Sequence, residues 1–143
     1  FLCFKFRTMY LNDHSDEKWA SKNDDRITPF GAFLRRTSLD ELPQLFNVIR
    51  SEMTIVGPRP LPIRLNNQYK SQIKNYSQRH SFKPGITGLA QALGHRGEIR
   101  ELRQIRNRVT LDKFYLNHWT LLLDVKIIAI TFVELTKGQE SAY

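Results

Sequence analysis

TSLDELPQLF, residues 37–46, places two adjacent carboxylates, Asp40 and Glu41, shortly after two arginines, Arg35 and Arg36. A carboxylate in the first turn of a helix lies near free backbone N–H groups, which keep it ionised and able to attack an electrophile. Acidic and basic side chains are therefore concentrated in one short segment. This arrangement is typical of a site that handles phosphate.

The same segment also has the pattern of a helix cap. Ser38 and Glu41 have the spacing of a capping box, in which the serine caps the helix and the glutamate bonds back to the serine amide. A helix that began at Ser38 would meet Pro43, which has no N–H to donate and crowds the preceding turn, so we expect a kink or a late start there. Because a capping carboxylate can also be catalytic, the segment leaves both interpretations open.

A second stretch, VGPRP at residues 56–60, holds one arginine between two prolines. Pro58 and Pro60 fix their own φ and push the preceding residues, Gly57 and Arg59, into an extended conformation. A guanidinium on such a stiff backbone is suited to bidentate contact with phosphate. The alternative is a proline-rich turn whose arginine points into water.

Composition limits the class of protein. The chain has 143 residues, 41% of them hydrophobic and 25% charged, which is typical of one globular domain rather than of a disordered segment. A formal net charge of +8 favours polyanionic partners, such as nucleic acid, an acidic membrane surface or phosphorylated metabolites. The single cysteine, Cys3, excludes an internal disulfide framework.

In the first half of the chain, alternation over residues 1–10 predicts a short strand with Lys5 and Arg7 on one face. Polar residues 12–25 predict a loop that could close over a substrate. Thr28 and Pro29 have the pattern of a helix cap and first helical residue. After Pro43, the sequence predicts a short helix with four apolar core residues: Leu45, Phe46, Val48 and Ile49. Residues 53–56 are then expected to form a short strand.

In the second half, residues 61–81 predict an amphipathic helix with Leu65, Tyr69, Ile73 and Tyr76 on its apolar face. Gly85 is expected to supply φ freedom in a turn whose amides could approach an anion. A further helix turns Ile99, Leu102, Ile105 and Val109 inward. Arg96, Arg100 and Arg103 line its outer face, which favours a salt-bridged surface helix over a binding role for these three.

Residues 111–136 are the most apolar, but Asp124 and Lys126 interrupt them well short of a spanning helix. An interfacial helix and a core helix are both compatible with this pattern. The sequence therefore predicts an α+β fold: a mainly helical single domain over residues 1–143 with a small sheet or hairpin, associated with a membrane surface.

Six runs resemble the catalytic domain of bacterial sugar transferases, the polyprenyl-phosphate hexose-1-phosphate transferases. They are FKFRTM (4–9), DRITPFG (25–31), TSLDELPQL (37–45), VGPRP (56–60), RH (79–80) and KPGITG (83–88). Within that family the chain is most similar to undecaprenyl-phosphate glucose phosphotransferases. Since the family has a membrane-embedded helix before the first run, we expect the chain to be a fragment that lacks it.

The resemblance implies a function. It implies transfer of hexose 1-phosphate from UDP-glucose or UDP-galactose to undecaprenyl phosphate, with release of UMP, through a phosphosugar-aspartate intermediate and with Mg²⁺. This would be the first step of exopolysaccharide, capsule or O-antigen synthesis, at the cytoplasmic face of the bacterial inner membrane, with no nucleic acid as partner. Two rivals compete on charge and carboxylates alone: a nucleic-acid-binding module and a metal-dependent phosphodiesterase.

The resemblance also implies roles for residues. Asp40 would be the nucleophile, and Glu41 would be its partner; both are tentative Mg²⁺ ligands. Lys5, Arg35 and Arg59 would hold phosphate, with Arg36 adjacent, and Pro58, Pro60 and Gly85 would shape the backbone. We add Arg7, Arg79 and His80 to the phosphate-binding set, although a histidine at a helix end is more often a stabilising cation.

Overall fold

The computed structural model describes residues 1–11, 24–97, 99 and 101–136. The helices are α1 (Pro29–Thr37), α2 (Gln44–Ile49), α3 (Ile63–Gln72), α4 (Leu89–Ala92), α5 (Leu102–Asn117) and α6 (Leu121–Thr136), and the strands are β1 (Thr54–Val56) and β2 (Gly85–Thr87). Short 3₁₀ helices occupy Leu39–Glu41 and Tyr76–Ser81. The predicted mainly helical fold with a small sheet is confirmed. β1 and β2 run parallel, so these two strands form a sheet and not a hairpin.

The sheet depends on two glycines that let its backbones approach closely. Thr54 lies opposite Gly85, and the Gly57 N–H donates to the Thr87 carbonyl at 2.8 Å. A Cβ on Gly85 would lie 2.1 Å from the nitrogen of Gly57. Gly85 is not in the left-handed region, and its N–H donates to the Pro58 carbonyl at 3.0 Å. The prediction that Gly85 supplies φ freedom is therefore wrong, because what the position requires is the missing Cβ.

The N-terminal segment does not form the predicted strand. Its backbone ladder is limited to one isolated antiparallel bridge, Met9 to Ile27, among the residues that the structure describes. The Phe4 N–H is instead bonded to the side chain of Asn47, and the Phe6 N–H to the Asp40 carbonyl. The predicted loop at residues 12–25 lies almost entirely outside the described ranges.

The start of α1 is as predicted. Thr28 is the N-cap, its side chain accepts from the Gly31 N–H at 2.9 Å, and Pro29 is the first helical residue. The late start after Pro43 is also confirmed, because α2 begins at Gln44.

The predicted core face of α2 is wrong. Phe46 is 65% exposed and Ile49 78% exposed, whereas Gln44 and Asn47 are buried. The inner face of this short helix covers main-chain groups of the N-terminal segment, which require hydrogen-bonding partners rather than apolar contact.

The main core cluster follows the predicted apolar periods. Its buried members are Tyr69, Ile73, Tyr76, Ile99, Ile105 and Val109, and Leu65 and Leu102 pack against it. The predicted helix over residues 61–81 is interrupted, however. Ile73 is extended, and Asn75 adopts a left-handed conformation with φ 61°, which asparagine tolerates better than most residues.

Helix α6 joins the core through Ile127, and the partly buried Leu123 packs against the same cluster. Ile127 is fully buried with Val56, Ala92 and Tyr115. Asp124, which interrupts the apolar run, accepts from the Tyr115 hydroxyl at 2.7 Å and thereby ties α6 to α5. Seven other large apolar side chains of α6 are exposed: Leu121, Leu122, Val125, Ile128, Ile130, Phe132 and Val133. None of the helices in the described ranges has the length and apolar character needed to cross a bilayer.

We predict that Gly85→Ala lowers the free energy of unfolding by about 3 kcal/mol, because backbone atoms of Gly57 and Thr87 occupy the space of the new methyl group. Urea unfolding at equilibrium measures this loss. Gly94→Asn is the control: Gly94 has φ 82° and open space around it, and asparagine tolerates that conformation, so the loss should stay below about 1 kcal/mol. Equal losses in the two variants would contradict the packing explanation.

Candidate active site

The chain turns sharply at Ser38, between α1 and the carboxylates. Ser38 has φ 57°, and its N–H donates to the Arg35 carbonyl at 3.1 Å, so it ends α1. Its side chain makes no N-terminal cap bond to the 3₁₀ helix that follows. The predicted capping box is therefore wrong, since Ser38 is a C-cap. A non-glycine residue held at positive φ beside buried carboxylates is a form of strain that clusters at functional sites.

Glu41 is the most heavily paired carboxylate of the site. It is 4% exposed, and three cations surround it. Arg59 contacts it through both terminal nitrogens, at 2.8 and 3.4 Å, Lys5 Nζ lies 3.0 Å from Oε1, and Arg96 Nη2 lies 3.2 Å from Oε2. Burial alone would raise the pKa of Glu41, but the charges of Arg59, Lys5 and Arg96 outweigh it and hold the pKa well below its usual range.

Asp40 is also buried, at 7% exposed, but its carboxylate is far less engaged. Its ion pair in the described part of the chain is with Lys5, whose Nζ lies 3.5 Å from Oδ2. The Asp40 carbonyl accepts from the Phe6 N–H at 3.0 Å, which fixes the backbone beneath the side chain. The two neighbouring carboxylates therefore differ: Glu41 is occupied by cations, whereas Asp40 keeps oxygen lone pairs for another partner.

Arg59 is held from behind by a buried ion pair. Arg79 Nη2 donates to the Arg59 carbonyl at 2.7 Å, and Arg79 Nε donates to Asp112 on α5 at 3.0 Å. Arg79 and Asp112 are both buried, and the Tyr76 hydroxyl accepts from Arg79 at 3.1 Å. The backbone at Arg59 is therefore fixed by α5 as well as by the flanking prolines. Arg79, predicted as a phosphate ligand, lies one layer behind the carboxylates.

Arg96 belongs to the site, although its sequence pattern favoured a salt-bridged surface helix over a binding role. Its Nη1 donates to the Ser38 hydroxyl at 2.8 Å, and its Nη2 pairs with Glu41. That interpretation is therefore wrong for Arg96, correct for the exposed Arg103, and untested for Arg100, which lies outside the described residues. Arg96 lies between Gly94 and Gly97, in a loop rather than in α5. This position was the sequence signal that could have separated Arg96 from the helix pattern.

Arg108 is a second cation that the sequence analysis missed. It is buried on α5, one helical turn before Asp112, and Nη2 donates to the Gly97 carbonyl at 2.5 Å. Among the residues that the structure describes, its Nε and Nη1 atoms have no hydrogen-bonding partner. Burial and the charges of Arg59 and Arg79 lower the pKa of Arg108 to about 10, so it remains charged at neutral pH.

The remaining predicted phosphate ligands lie in different surroundings. Arg35 donates through Nε to the Thr8 hydroxyl at 2.8 Å, while Arg7 and Arg36 are exposed. His80 is exposed and packs its ring edge against Tyr76, with 5.7 Å between the ring centroids. The structure thus brings Lys5 and Arg59 to the carboxylates, together with Arg96, and places Arg79 behind them.

The two central carboxylates, Asp40 and Glu41, differ in how well they could hold a metal ion. No cluster of three or more His, Cys, Asp or Glu side chains in the described ranges is arranged to hold one. Mg²⁺ needs few protein ligands, because it keeps waters and binds substrate phosphates. The carboxylate of Asp40 fits such a role. Glu41 fits it poorly, because its three cations would have to be displaced.

The family model of bacterial sugar transferases matches residues 1–138. The UDP-glucose:undecaprenyl-phosphate glucose-1-phosphate transferase of Xanthomonas campestris pv. campestris is 51% identical over 145 residues, which cover all of this chain and 30% of that protein. The protein of the same name from Klebsiella pneumoniae is 50% identical over 98% of this chain and 30% of its own length. The UDP-galactose-lipid carrier transferase of Erwinia amylovora is 38% identical over all of this chain and 31% of its own length.

The chain therefore spans about 30% of the length of these relatives. The family match covers nearly every residue, including all six runs that carried the resemblance and the buried Asp40 and Glu41 pair. On this evidence the chain belongs to the bacterial sugar transferase family.

Proposed function

We propose that this chain carries the catalytic site of an enzyme that transfers hexose 1-phosphate from a UDP-sugar to undecaprenyl phosphate, with release of UMP. UDP-glucose is the first candidate donor, because the relatives at 50% and 51% identity are named for it, and UDP-galactose is the second. The observation that carries the proposal is a pair of buried carboxylates, Asp40 and Glu41, surrounded by cations. Glu41 is paired with three of these cations, whereas Asp40 contacts Lys5 at a longer distance.

The charges around the site leave room for an anion. The cations are Lys5, Arg59, Arg79, Arg96 and Arg108, and the carboxylates are Asp40, Glu41 and Asp112. Positive charge is therefore in excess, and in a buried site such an excess attracts phosphate groups and neutralises charge that develops on their oxygens. A diphosphate donor and a phosphate acceptor both meet this requirement.

The side chains support two successive displacements at phosphorus. An Asp40 oxygen attacks the phosphorus that bears the sugar, the bond from that phosphorus to the bridging oxygen breaks, and UMP leaves with the electron pair. A phosphate oxygen of undecaprenyl phosphate then attacks the same phosphorus and releases the Asp40 carboxylate. The cations held by Glu41 stay in place throughout, so their positions are preorganised for both displacements.

Asp40 and Glu41 would have different roles toward Mg²⁺. Asp40 would contribute one carboxylate oxygen, and the substrate phosphates and water would supply the remaining ligands. When bound, the ion would neutralise charge on phosphate oxygens. Glu41 would act instead through Arg59, Lys5 and Arg96, whose positions it fixes.

A membrane location is part of the proposal. The acceptor is a lipid whose phosphate lies at head-group level, so the site must lie against the bilayer. We infer that it lies at the cytoplasmic face of the bacterial inner membrane. Exposed apolar side chains on α2 and α6, including Phe46, Ile49 and Phe132, support docking to acyl chains, and the net charge of +8 supports attraction to anionic lipids. The reaction would begin exopolysaccharide, capsule or O-antigen synthesis.

Asp40→Asn should abolish the covalent intermediate, because an amide keeps the shape of the carboxylate but is a poor nucleophile. Mass spectrometry of the protein after incubation with UDP-glucose and Mg²⁺ should find a hexose-phosphate adduct on the wild type. The adduct should form on the order of 10³-fold more slowly, or not at all, in the variant. Asp124→Asn, a change of the same kind between α5 and α6, should still form the adduct. Undiminished adduct in Asp40→Asn would refute the assignment.

Glu41→Gln should destabilise the fold, because it leaves three cations around a buried neutral amide; the expected loss is about 3 to 5 kcal/mol. Since the pKa of Glu41 is lowered on folding, its contribution is present above the unfolded pKa of about 4.3 and disappears as pH falls through the folded pKa. Urea unfolding should show a constant difference from wild type between about pH 7 and pH 5, which shrinks below about pH 4. The exposed Asp25→Asn serves as control, and a difference that grows on acidification would contradict the assigned sign.

Phe46→Ser combined with Ile49→Ser should weaken membrane binding without lowering the melting temperature, since both side chains are exposed. Sedimentation with vesicles of phosphatidylcholine and phosphatidylglycerol should fall by about tenfold or more, the size expected when partly inserted apolar side chains are removed. Binding of the wild type should also fall at high salt. Asn67→Ser on the exposed surface of α3 is the matched control, and equal sedimentation of both variants would argue against docking through α2.

A further inference from the structure

Asn47 is a polar residue in the interior, at 0% exposed, on a helix whose outer residues are apolar. Its side-chain oxygen accepts from the Phe4 N–H at 3.0 Å, and its side-chain nitrogen donates to the Leu2 carbonyl at 2.7 Å. The same nitrogen donates to Glu52 Oε2 at 2.7 Å. The side chain therefore bridges residues more than forty positions away in the chain, and its polar atoms are all satisfied.

These bonds take the place of a β-ladder. Leu2, Phe4 and Phe6 are alternate residues, and their main-chain groups point to one side of an extended chain. The carboxamide of Asn47 binds a carbonyl and an N–H two residues apart, as the peptide groups of a neighbouring strand would, and the Phe6 N–H then binds the Asp40 carbonyl. This explains why the segment stays fixed to α2 and to the 3₁₀ helix without forming the predicted strand.

Lys5 lies between the two fixed points of this segment. Its Nζ lies 3.0 Å from Glu41 Oε1 and 3.5 Å from Asp40 Oδ2, although its side chain is 41% exposed. A lysine side chain has a flexible four-carbon stem and no planar group to orient it. Because solvent borders the stem, the position of the ammonium group depends on where the backbone at Lys5 is held.

We propose that Asn47 is a positioning residue that fixes residues 2–6 and thereby holds the Lys5 ammonium between Asp40 and Glu41. The catalytic consequence rests on the function proposed above, whereas the positioning itself does not. Glu52 completes the arrangement, since its bond to the amide nitrogen fixes which way the carboxamide faces. Asparagine is required because aspartate has no donor for the Leu2 carbonyl and would repel Glu52, and leucine keeps the volume but loses all three bonds.

The first experiment needs no enzymatic activity. Wild type, Asn47→Asp and Asn47→Leu are treated with limiting acetic anhydride, and acetylation of each lysine is measured by peptide mass spectrometry. Lys5 should react several-fold faster in both variants, because an amine that has left its two carboxylate partners is more accessible to the reagent. Lys70 and Lys113, on α3 and α5, should react as in wild type and serve as internal controls. Unchanged reactivity of Lys5 in folded variants would overturn the proposal.

A further measurement, on the wild type alone, does not depend on whether the variants fold. In the wild type, the Phe4 amide should be protected from hydrogen exchange as strongly as the Phe6 amide, because each has a defined acceptor. Exchange of the Phe4 amide at the rate of an unfolded peptide would overturn the proposal even if both variants fail to fold.

The second experiment measures coupling to Lys5. Asn47→Asp should slow formation of the hexose-phosphate adduct by about tenfold, less than removal of a preorganised donor outright. In a Lys5→Met background it should cause little further loss, because the two residues act as one unit. Ile127→Val, which lowers stability in α6, should leave the rate unchanged and excludes stability loss as the cause.

The outcomes separate the two proposals. Independent, multiplicative losses from Asn47→Asp and Lys5→Met would overturn the positioning role, since a merely structural residue would give that result. If Lys5 becomes more reactive in the Asn47 variants but the wild type forms no adduct, the positioning by Asn47 stands and the proposed transferase function falls.

Discussion

The attraction between one buried carboxylate, Glu41, and three cations determines the arrangement of the site. Removing a glutamate from water is costly, and Arg59, Lys5 and Arg96 together provide the compensation that permits it. These cations come from the Pro58–Pro60 segment, the N-terminal segment and the loop before α5, so a single side chain connects three distant parts of the chain. Within the described ranges, Asp40 has one ion pair, a longer contact to Lys5, and this difference distinguishes the two neighbouring carboxylates chemically.

The position of Arg59 depends in turn on contacts behind the site. Gly57 and Gly85 let β1 and β2 approach closely, and the chain leaves β1 directly into Pro58 and Arg59. Arg79, paired with Asp112 on α5, then binds the Arg59 carbonyl. Contacts between residues 20 and 33 positions apart in the chain therefore support the backbone of this short motif. A two-stranded sheet of three residues per strand is sufficient to position this one backbone segment, because the helices supply the core.

Sequence patterns predicted what depends on local chemistry. The Thr28 cap, the late start of α2 after Pro43 and the inward faces containing Tyr69 and Ile105 all follow from the residues themselves. The carboxylate pair and Arg59 were recognisable as a site because unlike charges and prolines were concentrated there. Features that depend on tertiary partners were missed. Arg96 looked like part of a solvated helix face, and Ser38 looked like an N-cap, because each finds its partner only after distant segments meet.

In helix α2 the apolar residues are not buried in the core, contrary to the sequence pattern, and they are left free to contact a membrane. Its inner face covers polar main-chain groups of residues 2–4, so Gln44 and Asn47 are buried and Phe46 and Ile49 cannot be core residues. The polar side of this helix is thus buried, and its apolar side is exposed. An α-helix is about 10 Å across with its side chains. Under the proposed function, a membrane surface that accepted Phe46 and Ile49 would therefore lie about one helix diameter from the segment that carries Lys5.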